Sequence, residues 1–153
     1  MAVLLAPSLI RDWKLARLLV RPDTRAVARE WIEGHVSAGE AIAILRDRGC
    51  GLPRFAASRP LLVLDSPLAL ADSAARWIVL DSTPFSALSP DLDTPSQRRL
   101  DAWGELVLDV DPREAGTPEP IYDRLDPLFV PLQHASSVKR PGPRIRVWQR
   151  HAP

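Results

Sequence analysis

The sequence predicts a small α/β domain, a mostly parallel sheet of four to five strands with flanking helices, preceded by an amphipathic N-terminal helix. Two observations carry this expectation. Apolar runs of strand length recur as "AIAIL" (41–45), "LLVLD" (61–65), "WIVLD" (77–81) and "LVLDV" (106–110). They lack the in–out alternation of a sheet with one wet face, which is how strands covered on both sides read. Between them lie segments of helical spacing and loops rich in Pro and Gly, and strands alternating with helices build layered α/β folds.

The elements follow in chain order. "MAVLLAPSLI" is apolar but far shorter than the roughly 20 residues that span a bilayer. It has neither the basic start nor the cleavage site of a signal peptide, and reads as the end of something longer. In 8–21, Leu9, Trp13, Ala16 and Leu19 or Val20 recur at helical spacing, interleaved with Arg11, Lys14, Arg17 and Arg21. Such a helix either packs on the domain or lies in a membrane interface, with Trp13, Lys14 and Arg17 at headgroup level. The division expected is therefore 1–20, an apolar stub and amphipathic membrane-proximal helix, and 21–153, a single α/β domain.

Pro22 closes the first element, and Asp23 or Thr24 is placed to cap the next helix. Val27, Ala28, Trp31, Ile32 and His35 share one face of it, and Gly39 is the expected stop before the strand at 41–45. The stretch 47–60 is a Gly- and Pro-rich loop. A short helix is expected at 67–76, inside the eleven-residue link between the strands at 61–65 and 77–81, a length near the minimum for a parallel crossover. Thr94 and Pro95 can start a helix within 94–106. Residues 119–132 suggest a short helix broken at proline. "RIRVWQR" (144–150) alternates, with Ile145 and Val147 opposite Arg144, Arg146 and Trp148, and reads as a half-exposed final strand.

Composition bounds the rest. The 153 residues suffice for one domain with a real core and fall short of two. At 46% hydrophobic and 25% charged, the chain is of ordinary globular composition, which argues against wholesale disorder. A net charge of +1 selects no partner by bulk electrostatics, and no nucleic acid is expected. The 16 prolines lie mostly between apolar runs, the mark of stiff loops. Cys50 is the one cysteine, so neither an internal disulfide nor a Cys-rich zinc site is possible.

The candidate chemistry sits at strand ends. "VLDS" occurs twice, and "LVLDVDP" is a third relative, so Asp65, Asp81 and Asp109 each close an apolar run. Asp65, Ser66, Asp81 and Ser82 would share a crevice if their strands ended side by side, because α/β folds place ligands there. Asp and Ser also end strands simply by satisfying loop backbone groups, and this reading is preferred. No metal and no cofactor is expected: His35, His134 and His151 are scattered, and there is neither a nucleophile elbow nor a phosphate-binding glycine loop. The tail concentrates Lys139, Arg140, Arg144, Arg146 and Arg150 around Trp148. It is read first as the solvated face of an edge strand and second as an anionic-surface binder.

Taken in order, these segments resemble a known family. "LLAPSL…ARLLVRPDTRAVAREWIEGHVSAGEAIAI" is similar to the stretch after the last membrane span of bacterial GT-C glycosyltransferases, the dolichyl-phosphate-mannose-protein-mannosyltransferase-like enzymes. The pattern is carried here by Asp23, Thr24, Arg25, Ala28, Trp31, Ile32 and Gly39, and it opens a C-terminal extracytoplasmic domain in that family. "RWIVLDS" (76–82) resembles the domain's central strand, and "IYDRLDPLFVPLQHASSVKRPGPRIRVWQR" (121–150) its ending. The resemblance implies a periplasmic location at the bacterial inner membrane, contact with the membrane surface or upstream transmembrane region, and no required protein partner. It implies an isoprenoid-phosphate sugar donor for the parent enzyme but carries no catalytic residue onto this chain. The alternative is a small soluble α/β ligand-binding protein or enzyme using the crevice near Asp65 and Asp81.

Overall fold

The computed structural model describes residues 2–45, 51–66, 69, 72–82, 94–122 and 131–152. Helix α1 (Ala2–Leu19) is followed by α2 (Thr24–His35), β1 (Ile42–Leu45), β2 (Leu61–Leu64) and β3 (Trp77–Ser82). Then come α3 (Thr94–Trp103), β4 (Gly104–Val110), β5 (Ile121–Tyr122), β6 (Pro131–Gln133), a 3₁₀ turn (Ala135–Ser137) and β7 (Arg144–Arg150).

Five strands form one sheet in the order β2-β1-β3-β7-β4, and β5 and β6 form a separate antiparallel pair. β1 pairs parallel with both β2 and β3, whereas β7 runs antiparallel to β3 and β4. Four of the five strands therefore point the same way, and the α/β, mostly parallel expectation holds. β2 and β3 run parallel, as the link between them suggested for a crossover, and β1 lies between them.

Each face of the sheet has its own core. Ile42, Ile44, Trp77, Val79, Val110, Ile145 and Val147 pack against Ala28, Ile32 and Val36, with Leu52 and Phe55 of the β1–β2 connection beside them. On the other face Ala43, Ile78, Leu80 and Trp148 pack against Leu100 and Trp103 of α3, with Ala75 of the β2–β3 connection. The two connections thus cover opposite faces, and the sheet is doubly wound about β1.

Local chemistry explains the helix ends. Asp23 is the N-cap of α2, its carboxylate accepting the Arg25 N–H at 2.7 Å. That bond satisfies one of the amide protons a helix start leaves without a partner. The helix ends at His35 rather than running to Gly39, because Val36 turns to extended backbone and buries its side chain in the core. The Arg59 guanidinium then takes the freed carbonyls of Val36 and Ser37, at 3.0 and 3.1 Å.

Further expectations are corrected. The final strand is not half-exposed at an edge: β7 is internal, and Trp148 is fully buried under α3. Alternation misled because Arg146, half-buried on the same face, donates to Gln97 and Ser82. The run at 61–64 reads as a buried strand yet forms the sheet edge, with Leu61, Leu62 and Val63 exposed. Residues 121–122 and 131–133 are strands rather than helix. Residues 72–76 are turn and bend rather than helix, while 67, 68, 70 and 71 of the short helix expected at 67–76, residues 123–130, and Cys50 lie outside the described residues.

Candidate functional site

Because β2, β3 and β4 run the same way, the carboxylates that close them come to one edge of the sheet. Asp65 follows β2, Asp81 and Ser82 end β3, and Asp109 lies near the end of β4. Antiparallel β7 brings its first residues, Arg144 to Arg146, to the same edge.

The strand order keeps the three carboxylates apart. β1 separates Asp65 from Asp81, and β7 separates Asp81 from Asp109. Two strand spacings are roughly 9.5 Å, whereas oxygens sharing one cation each sit about 2.0–2.6 Å from it. Asp81 also pairs with Ile145 on the α2 face, while Asp109 pairs with Arg146 on the α3 face. Among the described residues no group of three or more His, Cys, Asp or Glu is placed to hold a metal ion.

Each strand-end residue has a local setting. Asp81 ends β3 beside β1, where the strand order reverses, the position at which doubly wound sheets bind ligands. Gly51 of the β1–β2 connection lies directly against it: a Cβ at position 51 would stand 1.8 Å from Asp81 Oδ2. The connection therefore closes down on this carboxylate. Ser82 Oγ accepts from Arg146 Nη2 at 3.0 Å, and Gln97 Oε1 accepts from Arg146 Nη1 at 3.0 Å. The same guanidinium sits 5.2 Å from the Trp148 ring centroid. Asp65 is exposed and Ser66 half-buried at the end of the edge strand.

The charged network here joins two residues singled out from the sequence, Asp109 and Arg144, to two that were not, Asp111 and Arg113. Arg144 forks onto Asp109, its Nε donating at 2.8 Å and its Nη2 to the second oxygen, and its Nε also lies 3.7 Å from Asp111. Asp111 accepts from Arg113 through backbone N–H, Nε and Nη2 at 2.8–3.1 Å. Burial opposes the Asp111 charge, but the Arg113 hydrogen bonds and the charges of Arg113 and Arg144 outweigh it, and its pKa falls below the ordinary value. Burial pushes the Tyr122 hydroxyl up to about 12. The "D-V-D-P-R" spacing at 109–113 was the available signal, but only β7 supplies Arg144 across 35 residues.

Two of the three histidines bond to the main chain. His35 stacks on Trp31 at 4.3 Å, and its Nδ1 donates to the Trp31 carbonyl at 2.7 Å. His134 takes left-handed backbone (φ 56°) before the 3₁₀ turn, with Nδ1 on the Glu119 carbonyl at 3.0 Å. At the opposite end of the sheet Glu40 accepts from Ser37 N–H, Arg76 and Trp77 Nε1.

A second surface belongs to α1. Leu18 is buried against the domain, only 4% exposed, while Leu9, Trp13 and Val20 on the opposite side are 66%, 58% and 83% exposed. Lys14 and Arg17 are exposed beside them, and the Arg17 guanidinium lies 4.6 Å from the Trp13 ring centroid. No helix among the described residues is long and apolar enough to cross a membrane. Comparison with protein-family models, curated proteins and solved structures finds no match to this chain.

Proposed function

We propose that this chain is a non-catalytic, membrane-proximal accessory domain of a polytopic glycosyltransferase that uses an isoprenoid-phosphate-linked sugar, on the periplasmic face of the bacterial inner membrane. The observation that carries the membrane-proximal part is the outward apolar stripe of α1. A helix that buries Leu18 and turns Leu9, Trp13 and Val20 to water has an apolar face too continuous to be scattered surface residues.

The glycosyltransferase part rests on the sequence resemblance. Two of the segments that carry it touch: the Thr24 N–H of "DTR" donates to the Pro141 carbonyl of "PGP" at 2.9 Å. In this reading the domain stabilises the membrane core or shapes the acceptor side, and the sugar chemistry belongs to the parent enzyme.

The test is a blot of fractionated native cells with an antibody against residues 21–153. A band much larger than 17.0 kDa in the membrane fraction is expected. A 17.0 kDa band confined to the soluble fraction would overturn the reading.

The alternative is a small ligand-binding protein or enzyme, favoured by one observation: Asp81 and Ser82 end β3 where the strand order reverses. It predicts that Asp81→Asn abolishes binding of a small ligand with the fold intact. Unchanged binding would remove it.

A further inference from the structure

The two basic segments of the sequence are far apart in the chain but adjacent in the fold. Arg21, just past α1, donates from Nη1 to the Lys139 carbonyl at 2.6 Å across 118 residues. Helix α1 also leans on the 3₁₀ turn at 135–137 that leads into this corner. The corner is held from behind by the bond between Thr24 N–H and the Pro141 carbonyl. Lys139 and Arg140 are thereby fixed beside the C-terminal end of α1.

We propose that the exposed stripe of α1 and the Arg21–Lys139–Arg140 corner form one surface that docks onto anionic lipid headgroups. The proposal rests on the membrane-proximal reading above and deepens it by naming the partner. Among the described residues, Lys14, Arg17, Arg21, Lys139 and Arg140 make no ion pair. The acids nearby are Asp12, on α1, Asp23, which Arg25 holds at 2.6 Å, and, on the segment bonded to Ser137 and Lys139, Glu114 and Asp111, the latter held by Arg113. A group of cations without ion pairs along one side of an apolar stripe complements a surface that is anionic at the headgroups and apolar beneath them.

The apolar part decides between anionic partners. A nucleic acid would satisfy the cations and leave Leu9, Ile10 and Val20 in water, whereas a bilayer takes both. Trp13, with Arg17 stacked on its ring, has the indole-plus-cation character that settles at headgroup depth. Free phosphate would be bound by the corner but not by the stripe.

The experiment is flotation of the 153-residue chain with vesicles of equal parts phosphatidylglycerol and phosphatidylcholine, against pure phosphatidylcholine. Wild type is expected to float with the anionic vesicles and much less with the neutral ones, with binding falling steeply as salt rises. Near an anionic surface each Lys or Arg contributes a factor of roughly five, so Lys139→Gln with Arg140→Gln should weaken binding by about 25-fold. Trp13→Ala should weaken it by at least about fivefold through lost apolar burial. Both variants should keep the wild-type circular dichroism and melting temperature, and inorganic phosphate at matched ionic strength should not release the protein.

Equal flotation with neutral vesicles, or wild-type binding by the doubly neutralised variant, would overturn the proposal. So would preferential capture by a DNA duplex. A soluble 17.0 kDa band in native cells would sink the accessory-domain reading while leaving the vesicle result standing. A membrane-fraction band with no vesicle binding would do the reverse.

Discussion

Gly142 stands against the N-cap of α2: a Cβ placed on it would lie 2.1 Å from Thr24 Oγ1 and 2.6 Å from Asp23 Oδ1. Its φ of +105° is itself a conformation that side-chain-bearing residues rarely adopt. Pro141, one residue earlier, accepts the Thr24 N–H. The entry to α2 and the corner before β7 are thus one joint, closed by the absence of a side chain.

Gly142→Ala combines backbone strain with overpacking, each costing about 1–3 kcal/mol. A loss of roughly 3 kcal/mol is expected, read as a lower urea midpoint with an unchanged m-value. A change under about 0.5 kcal/mol would mean that the cap moves aside freely. By comparison, Asp23→Ala should cost only about 1 kcal/mol, the usual value of a lost N-cap.

Gly51 and Asp81 should be energetically coupled. Gly51→Ala alone must displace the Asp81 carboxylate or the β1–β2 connection, at about 1–3 kcal/mol. If the carboxylate is the obstacle, most of that cost disappears in the Asp81→Ala background. A double-mutant cycle is then expected to give a coupling of at least about 1 kcal/mol. Additive effects would show that the connection shifts instead.

Stability should fall in acid through Glu40 as well as Asp111. Burial works against the Glu40 charge, but hydrogen bonds from Ser37, Trp77 and Arg76 and the Arg76 charge outweigh it, and its pKa lies below the ordinary 4.5. Asp111 lies below its ordinary 3.8 for the reasons given above. A carboxyl whose pKa is lowered by folding binds its proton more weakly in the folded chain. It therefore contributes stability above its unfolded pKa, which is lost as pH falls through the folded one. Urea midpoints should decline as pH drops below 4.5, and Glu40→Gln should flatten the first part of that decline. An identical pH profile for the variant would rule out Glu40 as a contributor.

Tyr122 is the chain's one tyrosine, so its phenolate absorbance reports a single site. Titration of the folded protein should show a midpoint near 12, returning towards the ordinary 10.0 on unfolding. The principal cause is burial, which favours the neutral phenol; the Arg113 charge opposes it, and the charges of Asp111 and Glu119 add to it. The sign is opposite to that of the carboxylates: the contribution is full below pH 10.0 and is lost as pH rises towards about 12. A folded-state midpoint near 10.0 would place the hydroxyl in water.

Asp111→Asn separates the two effects. It removes an acid-sensitive partner of Arg113 and a negative charge near Tyr122, so it should lower the Tyr122 midpoint slightly while shrinking the acid loss. If neither moves, the cluster at the β4 end is not electrostatically connected.

Much of the architecture was written locally. The strands expected at 41–45 and 77–81 and the Thr94-Pro95 start each follow from a few neighbouring residues and sit within a residue of where the pattern put them, and of the two cap candidates, Asp23 and Thr24, the structure uses Asp23. The α1 stripe was largely legible, because 3.6-residue periodicity alone brings Leu9, Trp13 and Ala16 to one side, with Leu19 or Val20 after them. What neighbours could not say was which strands lie side by side. Strand pairing is settled by which faces bury most area against distant partners. Thus the same apolar lettering yields an exposed edge at Leu61–Val63 and a buried centre at Trp77–Leu80. The order β2-β1-β3-β7-β4 holds Asp65, Asp81 and Asp109 two strands apart, buries Trp148, and sets Lys139 beside Arg21. Those contacts join residues separated by tens of positions, and only the closed tertiary structure supplies the packing energy that selects them.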